Sequence, residues 1–161
     1  MKVAVLADTH TRGARMRLPR GAWPYLETAD HILHAGDVCE PSLLDELAAL
    51  APLTVVAGNC DGFDVRHWGA HDEATVELGG VRIGMVHDSG ERAGRRKRMR
   101  ARFPDARVVV YGHSHLPWNE DEDGLLLFNP GSPTWRRGAP FASMGMLWID
   151  GAMVEGEVFP V

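Results

Sequence analysis

The sequence predicts an α/β fold, with its strands in a mixed sheet or in two packed mixed sheets and its helices outside. Three observations carry this. Short β-branched runs alternate with helical stretches along the chain. The first strand-like run, Val3-Ala4-Val5-Leu6-Ala7, is continuously apolar, as in a strand buried on both faces. The last runs follow one another with only Gly, Pro and Asp turns between them, which suits antiparallel pairing. At 161 residues, 45% hydrophobic and 24% charged, residues 1–161 suit one globular domain. That composition excludes a disordered or collagen-like chain.

The elements follow in order. Residues 3–7 form the first apolar strand, and a helix is expected over 20–29. A second strand lies at 31–35. Pro41 suits the first position of a helix, which runs on through Leu43, Leu44, Leu47 and Leu50, all on one core-facing side. Residues 53–57 are the third strand. Residues 75–78 and 81–86, joined by Gly79-Gly80, read as a β-hairpin with a two-residue turn. A basic helix is expected over 91–102, stopping before Pro104. Residues 107–111, 125–128, 144–149 and 154–158 read as strands, and Glu120-Asp121-Glu122-Asp123 as an exposed acidic turn.

Composition narrows the function. Lys and Arg number 17 against 22 Asp and Glu, a formal net charge of −5, which argues against nucleic-acid binding by the whole surface. No apolar run approaches the roughly 18 residues needed to cross a bilayer. The start, Met1-Lys2-Val3-Ala4-Val5-Leu6, enters a strand directly, without the apolar segment of a signal peptide. With Cys39 and Cys60 as the two cysteines, no disulfide framework is available, and a cytoplasmic location is expected.

The metal-type residues fall in one kind of place. Asp8 and His10 follow the first strand, Asp37 the second and Asn59 the third. His87 ends the hairpin's second strand, and His113 and His115 follow the strand at 107–111. Five strands thus deliver seven donors at their carboxyl ends, the edge where α/β sheets build ligand sites. Asp, His and Asn form a borderline-to-hard donor set suited to Mn, Fe, Zn, Co or Ni. Seven donors exceed the four of a tetrahedral zinc and fit two ions that share a carboxylate. Any one of these residues alone has a bland reading, since Gly36-Asp37 and Gly58-Asn59 are ordinary turn signals. Their joint order is what is specific.

These motifs resemble those of the calcineurin-like metallophosphoesterase superfamily, and within it the small bacterial and archaeal phosphodiesterases. The residues that carry the resemblance are Asp8-Thr9-His10, Gly36-Asp37, Gly58-Asn59-Cys60-Asp61, His87, Gly112-His113-Ser114-His115 and Asn129-Pro130-Gly131-Ser132. The resemblance implies a four-layer fold, a two-sheet β-sandwich flanked by helices. It implies one metal held by Asp8, His10, His115 and a bridging Asp37, and another held by Asn59, His87, His113 and the same Asp37. A bridging hydroxide would attack phosphorus, with Asn59 and His87 at the phosphate. The ions are expected to be Mn, with Zn, Fe, Ni or Co also suited, and the substrate a small phosphodiester. The compact relatives also suggest a homodimer or homotetramer.

Two departures from the family pattern stand out. Cys60 replaces a His thought to assist the leaving group in many members. It is read here as a packing residue, with proton donation as the alternative. The chain reads His87-Asp88-Ser89 where relatives often read His-Gly-His, losing the second His and gaining Asp88. Two rival functions follow from the same features. One is an interaction scaffold, as in the retromer subunit of this compact type. The other is a nucleic-acid protein using the basic run of Arg92, Arg95, Arg96, Lys97, Arg98, Arg100 and Arg102. The plainer reading of that run is a solvated helix paired with nearby acids. His34 is expected to be buried and hydrogen-bonded, while His31, His67 and His71 read as surface residues. Arg136 and Arg137 are weak candidates for contact with a substrate phosphate.

Overall fold

A computed structural model describes residues 1–13 and 17–161. Among the described residues, ten strands form two five-stranded sheets. The first contains β1 (Lys2–Leu6), β2 (His31–His34), β3 (Leu53–Val55), β9 (Ser143–Asp150) and β10 (Met153–Pro160), in the order β10-β9-β1-β2-β3. The second contains β4 (Glu73–Leu78), β5 (Val81–Val86), β6 (Val108–Val110), β7 (Trp118–Glu122) and β8 (Leu125–Asn129), in the order β4-β5-β6-β8-β7. Both sheets are mixed. Strands β1, β2 and β3 are parallel, as are β5, β6 and β8, while the hairpin partners are antiparallel. Parallel neighbours need crossovers, which α1 (Trp23–Leu26), α2 (Pro41–Ala48) and α4 (Arg95–Arg102) supply for three of the pairs, while the connection from β6 to β8 runs through β7. A further short helix, α3 (Phe63–Trp68), follows β3.

Alternation along β1 explains the layers. Val3, Val5 and Ala7 face the second sheet and pack with Ile83, Met85, Val108, Val110 and Phe128. Ala4 and Leu6 face the other way, onto Leu26, Leu43, Leu44 and Leu47 of α1 and α2. On the far side of the second sheet, Met99 and Phe103 from the α4 region cover Val109, Leu125 and Leu127. The result is a four-layer α/β/β/α sandwich, as the family resemblance implies. No helix among the described residues is long and apolar enough to cross a membrane.

Four expectations change. Leu50, expected to face the core, lies beyond the end of α2 and is exposed. In place of one helix over 20–29, a 3-10 turn (Arg20–Ala22) leads into the four-residue α1. The Thr28 hydroxyl donates to the Pro24 carbonyl, and the Asp30 N–H bonds Lys2, drawing the chain off the helix and into β2. Helix α4 begins at Arg95 rather than residue 91, because Gly94 takes a left-handed φ of 70° at its N-cap. The acidic turn is strand β7, paired antiparallel with β8. Its charges are balanced from outside: Arg96 reaches Glu120 and Glu122, and Arg107 holds Asp121 at 2.6 Å.

The basic run serves this packing. Arg102 pairs with Glu73, Arg100 donates to the carbonyls of Ala106 and Asp123, and Arg96 donates to those of Glu122 and Leu125. Arg95 lies over the Tyr111 ring and donates to its hydroxyl. These contacts favour the structural reading of the run over a nucleic-acid surface.

Candidate metal centre

All seven donors meet at the carboxyl ends of the parallel strands. Their backbones are unusual: Asp8, His10, Asp37, His113 and His115 all have φ between 43° and 67°. That region is sparsely used by residues with a side chain, and such outliers persist only where surrounding contacts over-determine them. Those contacts are visible. The N–H groups of Asp8, His10 and Thr11 donate in turn to the carbonyls of Gly36, Asp37 and Val38. Asn129 donates to the Gly112 carbonyl, and the Ser132 hydroxyl donates to that of Asp8. Close approach requires glycine beside the donors. A Cβ on Gly58 would lie 2.1 Å from Asp37 Oδ1, and one on Gly36 would lie 2.7 Å from His87 Nδ1.

Within the cluster, Asp37 occupies the middle. Its Oδ2 is 3.6 Å from His10 Nε2, and its Oδ1 is 3.5 Å from His87 Nε2. On the His10 side, His10 and His115 bring their Nε2 atoms to 3.1 Å, with Asp8 Oδ1 at 3.4 Å from His115. On the His87 side, Asn59 Oδ1 lies 3.1 Å from His87 Nε2 and 2.8 Å from His113 Nδ1. Asp8, His10, Asp37, His87 and His115 are buried, whereas His113 is half-buried and Asn59 exposed.

The donors fit divalent cations. His87 donates Nδ1–H to the Ala35 carbonyl and His115 donates Nδ1–H to that of Trp135, leaving both Nε2 lone pairs aimed into the cluster. Asp8 Oδ2 is buried with no hydrogen-bond partner. Electron-rich atoms that face one another at these distances call for positive charge between them. The metal-free titration behaviour agrees. Burial first, then repulsion from Asp37, raises the Asp8 carboxyl from 3.8 to about 8. Desolvation also lowers His10, and lowers His115 to about 4.

A stability prediction follows from Asp8. Its folded pKa lies above the unfolded value, so the metal-free fold binds the extra proton, and the benefit is full below about pH 4. That benefit is lost as pH rises through about 8. In the metal-free protein, Asp8→Asn is therefore expected to raise Tm at pH 8 relative to the unaltered chain, with little difference near pH 4. Thermal scans in chelator check this, and a Tm gap that does not grow with pH would contradict it.

Other expectations resolve as follows. His34 is fully buried between the Thr9 hydroxyl and the Gly36 N–H, with its pKa lowered to about 3, so it is a neutral structural residue. His67 and His71 are exposed, and His31 is half-buried, 2.9 Å from the Thr54 hydroxyl. Asp88 is exposed and accepts the Gly90 N–H, closing a local turn. Cys60 is exposed, which corrects the packing role read for it. Its N–H donates to Asp37 Oδ1, and its thiol stands near His10 and Asp37. Arg136 turns back onto the Ala139 carbonyl.

One residue carries a role that the sequence did not reveal. Asp61 Oδ2 accepts the N–H groups of Asp37 and Gly58, and its Oδ1 accepts that of Cys39. It ties the loop after β2 to the loop after β3. Its presence in Gly58-Asn59-Cys60-Asp61 is the only sequence signal for this.

A four-layer sandwich with Asp, His and Asn donors gathered at one sheet edge is the architecture of a metallophosphoesterase. The comparisons agree. A family model for the calcineurin-like phosphoesterase superfamily domain matches residues 1–152. A probable metallophosphoesterase of Methanothermobacter thermautotrophicus is 32% identical over 162 aligned residues, 98% of this chain and 91% of the relative. Vps29 from Entamoeba histolytica, complexed with zinc, superposes with a TM-score of 0.77 at 24% identity over 99% of this chain and 98% of its own. An archaeal phosphodiesterase superposes with a TM-score of 0.76 at 23% identity, over 99% and 100% of the two chains. At such identities the two structures speak for the fold. The chain belongs to the calcineurin-like phosphoesterase superfamily, a metal-dependent family of phosphoester hydrolases.

Proposed function

We propose that the protein is a divalent-metal-dependent phosphodiesterase with a dinuclear site. Asp8, His10, His115 and Asp37 hold one ion, and Asn59, His87, His113 and Asp37 hold the other. The observation that carries this reading is the division of Asp37, whose two carboxylate oxygens face different histidines. When bound, two such ions supply an activated water as nucleophile and neutralise charge on the phosphoryl oxygens. Manganese is the ion expected from the family resemblance, and the mixed Asp, His and Asn donors also suit Zn, Fe, Co and Ni.

The chain's own residues do the rest. Asn59 is placed to offer its amide N–H to a phosphate oxygen, beside His87. Partial desolvation and the neighbouring Asp37 push the Cys60 thiol up to about 11, so at neutral pH it holds its proton. It can therefore give a proton to a departing alkoxide but does not act as a nucleophile. The small phosphodiesterases that the sequence resembles commonly carry a Cys there, which supports the diester reading, and an archaeal neighbour of the same fold is described as a phosphodiesterase. The two free cysteines, Cys39 and Cys60, suit a reducing cytoplasm.

Cys60→Ala separates acid catalysis from packing. On bis(p-nitrophenyl) phosphate, whose leaving group needs no proton, the variant is expected to keep its rate within about threefold. On an alkyl diester the expected loss is about 10²-fold. Equal losses on both substrates would remove Cys60 from the proton-donor role.

The test of the function itself is chelation followed by metal return. Hydrolysis of bis(p-nitrophenyl) phosphate should vanish in chelator and reappear with Mn²⁺. The Vps29 likeness gives weight to one other reading, a scaffold on the same fold. No hydrolysis with Mn²⁺, Zn²⁺ or Co²⁺ would favour the scaffold or an enzyme of narrow specificity, and binding partners would then be the next search.

A further inference from the structure

We propose that Arg137, stacked on Trp135 beside the donor cluster, grips a non-bridging oxygen of the substrate phosphate and sets affinity for the phosphoryl group. The inference rests on the reading of the cluster as a phosphoester site, and adds to it a residue outside the seven donors.

The loop that carries Arg137 is built into the cluster. The Ser132 hydroxyl donates to the Asp8 carbonyl at 2.7 Å, and the Thr134 hydroxyl to that of Thr9 at 2.6 Å. The Trp135 N–H returns to the Ser132 hydroxyl, and the Trp135 carbonyl accepts His115 Nδ1–H. These bonds fix the indole edge-on to both donor rings, with centroids 5.5 Å from His10 and 5.3 Å from His115. The guanidinium carbon of Arg137 lies 4.8 Å from the centroid of the same indole. One Arg137 N–H donates to the His113 carbonyl at 3.2 Å. The cation is thus pinned between the indole of its own loop and the segment that delivers His113.

Arg92 also lies over an indole, that of Trp118, so what marks Arg137 is its combination of features beside the donor cluster. Its φ of 47° is a conformation that disfavours a side chain. Arg66, Arg96, Arg102 and Arg107 each have a carboxylate within 3.0 Å, whereas among the described residues no carboxylate lies within ion-pair distance of Arg137. Arg136, next to it, is consumed by carbonyls of its own loop. A planar guanidinium held against an indole is weakly hydrated and presents its remaining N–H groups in the fork that matches phosphate.

The charge also argues against a metal-supporting role. Arg137 is close enough for its field to act on Asp8, His10 and His115. A fixed cation there opposes divalent ions. Removing it should leave metal binding unchanged or tighter, while weakening the binding of an anion.

Arg137→Gly is the variant of choice, because glycine accepts the left-handed φ without strain. Calorimetry would measure Mn²⁺ binding first and then inorganic phosphate binding to the Mn²⁺-loaded protein. The expected result is a phosphate affinity about 10- to 100-fold weaker than that of the unaltered chain. Metal affinity should stay equal or improve, and Arg137→Lys should recover part of the loss. Unchanged phosphate affinity in Arg137→Gly would overturn the proposal, as would phosphate loss that merely follows a loss of metal. Failure of the unaltered protein to bind Mn²⁺ would instead refute the dinuclear function. Metal binding with no phosphate binding by the unaltered protein would also overturn the role of Arg137.

Discussion

Asp37→Ala is expected to abolish hydrolysis while leaving a folded protein. The substitution removes both oxygens that face the two histidine groups, at 3.6 Å from His10 and 3.5 Å from His87. The loss should exceed the roughly 10²–10³-fold cost of deleting a single transition-state donor, because both ions lose a ligand at once. Stability should change little or rise, because the carboxylate that repels Asp8 is gone. The opposing term is the orphaned Cys60 N–H, which now donates to Asp37 Oδ1. Asp37→Asn keeps an acceptor for that N–H and separates the two effects. Steady-state rates and thermal scans on both variants check the account. Turnover by Asp37→Ala near that of the unaltered chain would remove Asp37 from the centre of the site.

Asp61→Ala is expected to damage the protein differently, through its fold. One carboxylate satisfies three backbone N–H groups, those of Asp37, Cys39 and Gly58, at 2.7–2.9 Å. Each orphaned buried donor costs about 1–3 kcal/mol, so a loss on the order of 3 kcal/mol remains after water partly replaces the carboxylate. For a chain of this size that corresponds to a drop in Tm of about 6–12 °C. Activity should fall as well, since Asp37 and Cys39 hold left-handed backbone angles that these bonds maintain. Asp61→Asn retains one oxygen acceptor and should lie between. A Tm within about 2 °C of the unaltered chain would show that the two loops hold themselves together without Asp61.

The donors were legible because each interrupts a predictable pattern. A polar residue placed where an apolar run ends lies at a sheet edge, so Asp8, Asp37, Asn59, His87 and His113 could be located from strand endings alone. The left-handed angles that aim them were not legible. They arise from contacts between loops far apart in sequence, such as Asp8 with Gly36 and Ser132. The same reason hides the role of Asp61, whose partners lie on other loops, and the sequence could not separate Arg137 from Arg136. Strand β7 escaped because its residues 120–122 are all acidic. Only Arg96 and Arg107, brought from elsewhere, make it a stable edge. Helix α3 escaped because it is six residues long with Val65 as its one buried residue, too short for a helical period to register. The pairing of strands into two sheets also lies beyond local pattern, and there the family resemblance supplied the answer.

The most direct test of the central claim is the number of ions and their coupling. Equilibrium dialysis of the metal-stripped protein against Mn²⁺, with electron paramagnetic resonance on the loaded sample, reads both. The account predicts two Mn²⁺ per chain, with the spin coupling of a pair bridged by one carboxylate, and loss of that coupling in Asp37→Ala. A single ion per chain, or two with uncoupled spectra, would contradict a dinuclear centre built on Asp37.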